Sequence, residues 1–66
     1  MLDKEVNARI DLLLKQQETT KNYLVDRLRE EDWQSVTTAS VQLHSINQEL
    51  DSLQFIADKL LENGYE

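Results

Sequence analysis

The chain has 66 residues, of which 39% are hydrophobic and 30% are charged, and its net charge is −6 at pH 7. It contains no cysteine and no proline, and its one glycine is Gly64. This composition excludes disulfides and thiolate metal sites, and it argues against nonspecific binding to nucleic acid or to anionic membranes. The chain is short enough to form one domain, residues 1–66, whose core rarely supplies more than about 3–5 kcal/mol. We therefore expect a homo-oligomer.

The first predicted helix extends from about residue 3, where Asp3 is a candidate N-cap, to about residue 30. Positions on one face recur every three or four residues, which is typical of a helix that packs on a partner helix. They are Val6, Ile10, Leu13, Gln17, Thr20, Leu24 and either Arg27 or Leu28. We expect the polar residues Gln17 and Thr20 to fix register and oligomeric state. The alternative is a polar ligand pocket at the centre of a bundle.

A turn is predicted at about residues 30–32, where the chain reads Glu30, Glu31, Asp32. Three acids at the C-terminus of a helix oppose its dipole, and the same acids suit the start of the next helix. Asp32 is the candidate N-cap of that helix, and Ser35 is the alternative.

The second predicted helix extends from about residue 33 to 62, and Asn63 and Gly64 form a stop signal. Its apolar stripe has unbroken spacings of three and four residues: Val36, Ala39, Leu43, Ile46, Leu50, Leu53, Ala57 and Leu60. Two helices of similar length joined by a short turn predict an all-α antiparallel hairpin. Its expected core contains Leu43, Ile46, Leu50, Leu53, Leu60, Ile10, Leu13 and Leu24.

Nine large apolar residues lie off both stripes, which predicts a second buried face. They are Leu12, Leu14, Tyr23, Val25, Trp33, Val41, Phe55, Ile56 and Leu61. We expect a homodimer that forms a four-helix bundle with coiled-coil packing. The candidates for contacts between subunits or with a partner are Trp33, Val41, Phe55, Ile56 and Tyr23. An alternative for Trp33 is that it closes the end of the core beside the turn.

Residues 33–48 contain no charged side chain. This stretch is either a helix packed on several sides within an oligomer or a docking surface for a protein partner. The longest apolar runs have three residues, such as Leu12, Leu13 and Leu14, and there is no signal-peptide pattern. These features predict a cytoplasmic protein that does not bind a membrane.

No catalytic, metal or cofactor site is predicted, so we expect a protein that is not an enzyme. The lone His44 has no metal-ligand cluster around it, and one glycine cannot form a phosphate-binding loop. Small-ligand binding, as by a nucleotide sponge, is an alternative, because a phosphate could meet the basic residues near one end of the first helix. These are Lys21, Arg27 and Arg29.

Two short segments resemble known families. Residues 47–51, Asn-Gln-Glu-Leu-Asp, are similar to the Ser-Gln-Glu-Leu-Asp signature of the Spo0E-like aspartyl-phosphate phosphatases. That resemblance implies that Asp51 is the essential aspartate, flanked by Gln48 and Glu49. Residues 31–36, with the stripe that follows, resemble small uncharacterised helical-hairpin proteins of tailed phages. This second resemblance implies a phage-encoded interaction module in the host cytoplasm, which packs its helices on itself and on a host or viral partner.

Overall fold

The protein consists of two α-helices, which the computed structural model describes within residues 2–62. Helix α1 spans Leu2–Arg29 and helix α2 spans Trp33–Glu62. At 1.5 Å per residue, their 28 and 30 residues correspond to about 42 and 45 Å, which accounts for most of the 49 Å long axis. The predicted all-α class is confirmed, and the two helices pack against each other.

The helices run antiparallel, as the contacts between their side chains show. Near the start of α1, Arg9 pairs with Glu49, which is 40 residues further along the chain. In the middle of α1, Gln17 donates a hydrogen bond to Asn47, which is 30 residues away. The separation along the sequence becomes shorter towards the turn, so the two helices form a hairpin with one seam between them.

The hydrophobic core follows the two predicted stripes. All eight stripe positions of α2 are buried or half-buried. The buried residues are Val6 and Leu13 in α1, and Ala39 and Leu50 in α2. Burying a large apolar side chain contributes about 1.5–3 kcal/mol, whereas ordering each residue of a chain costs about as much. Three large buried side chains and Ala39 make a thin core for two helices of this length.

The residues predicted for the hairpin core all lie along this seam. Leu13 and Leu50 are buried, and the rest are half-buried: Ile10, Leu24, Leu43, Ile46, Leu53 and Leu60. The polar residues Gln17 and Thr20 are half-buried as well. At the end of α1 the stripe continues through Arg27, which is half-buried, and not through Leu28, which is 42% exposed.

Residues 30–32 join the helices, and they end α1 in a Schellman motif. The amide of Asp32 donates to the carbonyl of Arg27 over 3.0 Å, and the amide of Glu31 donates to the carbonyl of Leu28 over 3.1 Å. This pair of bonds requires a residue in the left-handed conformation, and Glu31 adopts it with φ of 56°. Glycine usually occupies this position, because a β-carbon is strained there. Glu31 therefore stores backbone strain.

Asp32 caps the N-terminus of α2. Its Oδ1 accepts a hydrogen bond from the Ser35 amide at 3.3 Å, and its Oδ2 lies 3.4 Å from Nη1 of Arg27. Hydrogen bonds from the Ser35 side chain and amide, aided by Arg27, hold the pKa of Asp32 below its ordinary value. Because these contacts favour the charged carboxylate, acid weakens the cap.

The ends of the helices differ from the prediction in one respect. Helix α1 begins at Leu2, so the prediction of Asp3 as its N-cap is wrong. Asp3 lies in the first turn, where an acid still interacts favourably with the helix dipole. The stop predicted at Asn63 and Gly64 lies outside the described residues. Neither α1 nor α2 contains an apolar stretch long enough to cross a membrane.

Candidate interaction surface

The surface of the described hairpin carries as many large hydrophobic side chains as the seam between its helices. Ten of them are at least 41% exposed, whereas four hydrophobic residues are buried. The most exposed are Leu61 at 79%, Val41 and Phe55 at 62%, and Trp33 at 61%. Single exposed apolar residues are ordinary, but such a large share is typical of a surface that contacts another molecule.

One long side of the hairpin, which we call the groove side, is defined by two rows of residues with seven-residue spacing. Seven residues make nearly two helical turns, so each row lies on one face of its helix. The two rows adjoin, because residues from both line one depression and two of their members form an ion pair. The rows are Arg9, Gln16 and Tyr23 in α1, and Gln42, Glu49 and Ile56 in α2.

An open groove of about 530 Å³ lies between the helices on this side. Its lining includes half-buried Thr20 and Ile46 from the seam and the exposed side chain of Val41. A smaller depression that contains Tyr23 adjoins the groove and shares part of its lining. Of the ten residues that line the two depressions, Lys15 alone is charged. The groove is therefore a nearly neutral surface on an acidic protein.

Arg9 and Glu49 form a two-pronged ion pair at the edge of the groove side. Arg9 Nε lies 2.7 Å from Glu49 Oε2, and Arg9 Nη2 lies 3.2 Å from Glu49 Oε1. The hydrogen bond from Arg9 holds the pKa of Glu49 below its ordinary value. Exposed pairs contribute little to stability. The consequence here is electrostatic, because Glu49 is the one acid in the two rows and Arg9 neutralises it.

The other long side of the hairpin is more acidic. A depression there is lined by Asn7 of α1 and by Asp58 and Leu61 of α2. Further acids lie near whole numbers of helical turns from Asn7 or Asp58, and so on the same side. They are Asp11, Glu18 and Asp51, and the same spacing places the base Lys21 there, two heptads after Asn7. The hairpin therefore has one nearly neutral side and one acidic side.

A second polar contact joins the two helices, in addition to the Arg9–Glu49 pair. Gln17 Nε2 donates to Asn47 Oδ1 over 2.6 Å. Gln17 is half-buried and Asn47 is exposed, so the contact lies at the edge of the seam and not in an enclosed pocket. This geometry supports the prediction that Gln17 fixes the alignment of the helices, because an apolar core alone would allow them to slide.

The structure divides the five predicted contact residues between the two sides. Tyr23, Val41 and Ile56 lie on the groove side. Phe55 adjoins it, about four helical turns after Val41, and the centroid of its ring lies 5.4 Å from Nζ of Lys59. Trp33 lies on the acidic side, since it precedes Asp58 by nearly seven whole turns of helix. At 61% exposure, Trp33 does not close the end of the core, so that interpretation is wrong.

The basic residues that favoured a phosphate ligand are largely engaged with acids of the chain. Arg27 pairs with Asp32 at 3.4 Å and lies 5.7 Å from the centroid of the Tyr23 ring. Arg29 lies 3.9 Å from Asp26. Since two of the three predicted phosphate contacts are held in this way, the structure does not assemble them around a common space.

The phosphatase-like segment does not form a converging set of side chains. Glu49 pairs with Arg9 on the groove side, whereas Asp51 is exposed on the acidic side, about 200° further around the helix. Gln48 is also exposed. Within residues 2–62, no group of three or more histidines, cysteines or acids could hold a metal ion.

Two features of the surface were not predicted from the sequence: the Arg9–Glu49 pair and the groove. A usable signal was present, because both residues lie next to the stripe of their helix and have opposite charges. In an antiparallel pair, such flanking positions face each other. Their level along the helices could not be read from the stripes, since the turn sets it.

Comparison of the chain with protein-family models, with curated protein sequences and with solved structures returned no match. The geometry of the hairpin is therefore the basis for assigning a function.

Proposed function

We propose that this protein is a small interaction module without enzymatic activity, which packs its helices against a second copy of itself and against another protein. The observation that supports this proposal is that ten large hydrophobic side chains are exposed, whereas only three in the described residues are buried: Val6, Leu13 and Leu50. A hairpin with a thin core gains stability by burying such surface in an oligomer. The simplest product is a dimer in which four helices form a bundle.

The partner would be a host or viral protein in the cytoplasm, in line with the resemblance to phage hairpin proteins. Helix packing does not need a pocket or a cofactor. It needs rigid elements with apolar side chains at helical spacing, and the exposed residues of α2 provide these. Trp33 is the first candidate for a contact with such a partner, because exposed tryptophan is enriched at energetic hot spots of interfaces.

Light scattering coupled to size exclusion tests the self-association. The expected mass is near twice the 7.8 kDa of one chain. A mass of one chain at tens of micromolar contradicts the dimer. Affinity capture from host lysate tests the contact with another protein, by comparing the wild type with Trp33→Ala, which lacks the proposed contact residue. A partner that binds the wild type and the variant equally would show that Trp33 is not the contact.

A second candidate function is the binding of a small ligand in the groove. Its volume of about 530 Å³ lies within the usual range of about 300–1,000 Å³ for ligand pockets, and Lys15 offers one positive charge. A nucleotide that binds there should raise the melting temperature of the wild type and not that of Lys15→Gln. A flat response of the wild type across a panel of nucleotides counts against this candidate.

A further inference from the structure

The groove side of the hairpin offers a surface that fits a second copy of the chain. We propose that this side, centred on Val41 and the adjoining groove, is the interface of the homodimer. The inference rests on the proposed function, because it identifies the surface that self-association uses. It leaves the acidic side, with Trp33 and Leu61, for another protein.

Charge favours a second copy as the occupant. With a net charge of −6, two copies repel each other in most orientations. The groove limits this repulsion, because its lining contains no acid and the nearby Glu49 is neutralised by Arg9. Among the described residues, no acid lies within ion-pair distance of Lys15, the one charged residue of the lining. A partner that binds through charge complementarity would therefore have few charges to pair with on this surface.

Shape also fits a symmetric contact. In a two-fold dimer the same patch is present on both subunits, so each patch must combine a projection with a recess. Val41 supplies the projection, with 62% of its surface exposed, and the groove beside it supplies the recess. Tyr23 and Ile56, 49% and 42% exposed, extend the apolar surface towards the two ends of the hairpin.

The size of the hairpin is sufficient for such an interface. Its Cα atoms extend over 49 × 14 × 11 Å. These extents exclude the side chains, which add to the width of each face. The area of one long face therefore approaches the roughly 800 Å² per partner that a standard stable interface buries. A short peptide would cover only part of this length, whereas a second hairpin of 49 Å matches it.

The test places a like charge on each side of the hairpin in turn. Val41→Lys adds a lysine to the groove side, and Leu14→Lys adds one to the other side, one heptad after Asn7. Both residues are exposed, at 62% and 44%, and lysine suits a helix, so we expect both variants to keep the wild-type helicity. Analytical ultracentrifugation over a micromolar concentration series measures the dimer Kd of each.

We expect Val41→Lys to raise the dimer Kd about 10- to 100-fold and Leu14→Lys to leave it near the wild-type value. If Val41→Lys loses helicity, Gln42→Lys probes the same groove from a position that is already polar. If a folded groove-side variant keeps the dimer Kd of the wild type, the inference is overturned, and this holds even if the groove binds a helix of another protein. The proposed function still stands in that case, provided that the wild type is a dimer. If the wild type is a monomer, both the self-association in the proposed function and this inference are wrong.

Discussion

Replacing Glu31 by glycine should stabilise the protein, because Glu31 is strained at the turn. A residue with a β-carbon costs about 1–2 kcal/mol in the left-handed conformation that φ of 56° represents. Glycine removes that cost but loses about 0.5–1 kcal/mol through its greater freedom in the unfolded chain. The free energy of unfolding should therefore rise by about 0.5–1 kcal/mol. For a domain of this size, that is a rise in melting temperature of about 2–8 °C.

Urea unfolding followed by circular dichroism, at one fixed protein concentration, measures this change. Two variants serve as controls. Glu31→Ala removes the same charge but keeps a β-carbon, so it should gain little. Glu30→Gly changes the preceding residue, whose amide makes a helical bond to the carbonyl of Asp26, and it should not stabilise. If Glu31→Gly is no more stable than Glu31→Ala, the strain at Glu31 does not have the assigned cost.

Three further predictions follow from the seam and its ends. Leu13→Ala should lower the free energy of unfolding by about 2–5 kcal/mol, because Leu13 is 1% exposed, whereas Leu14→Ala, at a 44% exposed neighbour, should cost less than about 1 kcal/mol in urea titrations. Because the pKa of Asp32 is lowered in the folded state, its stabilising effect is present above the ordinary value of 3.8 and is lost as the pH falls through the folded pKa. Asp32→Asn keeps an N-cap but has no carboxylate, so its melting temperature should decline less in that acid range; an unchanged decline would show that other acids dominate. Gln17→Leu should raise the melting temperature and broaden the distribution of oligomers seen by light scattering, since the polar contact fixes alignment; one unchanged oligomer would contradict that role.

The fold could be predicted because its determinants are local. The unbroken stripe from Val36 to Leu60 defines one helix and its packing face, and the acids at residues 30–32 mark the turn. A turn this short leaves an antiparallel hairpin as the outcome. The strained conformation of Glu31 was not predictable in the same way, because glycine is the usual signal for a left-handed residue and the turn has none.

The candidate surface could be predicted only in part. The off-stripe positions of Tyr23, Val41 and Ile56 indicate exposure, but exposure alone does not say which residues share a side. The residues of one helix that share a side follow from helical spacing, and this spacing separates Trp33 from Val41 by about 80° around α2. Which residues of α1 lie beside them depends on how far the two helices are shifted along each other, which the Schellman turn sets.

The central claim is that this hairpin is completed by a second copy, and the concentration dependence of its melting temperature tests that claim most directly. If folding and dimerisation are coupled, a hundredfold increase in protein concentration stabilises the dimer by about 2.8 kcal/mol, so the melting temperature rises by on the order of 10 °C. Circular dichroism at low and high micromolar concentrations measures this rise. A melting temperature that stays constant across the series would show that the single hairpin is stable alone and would contradict the account.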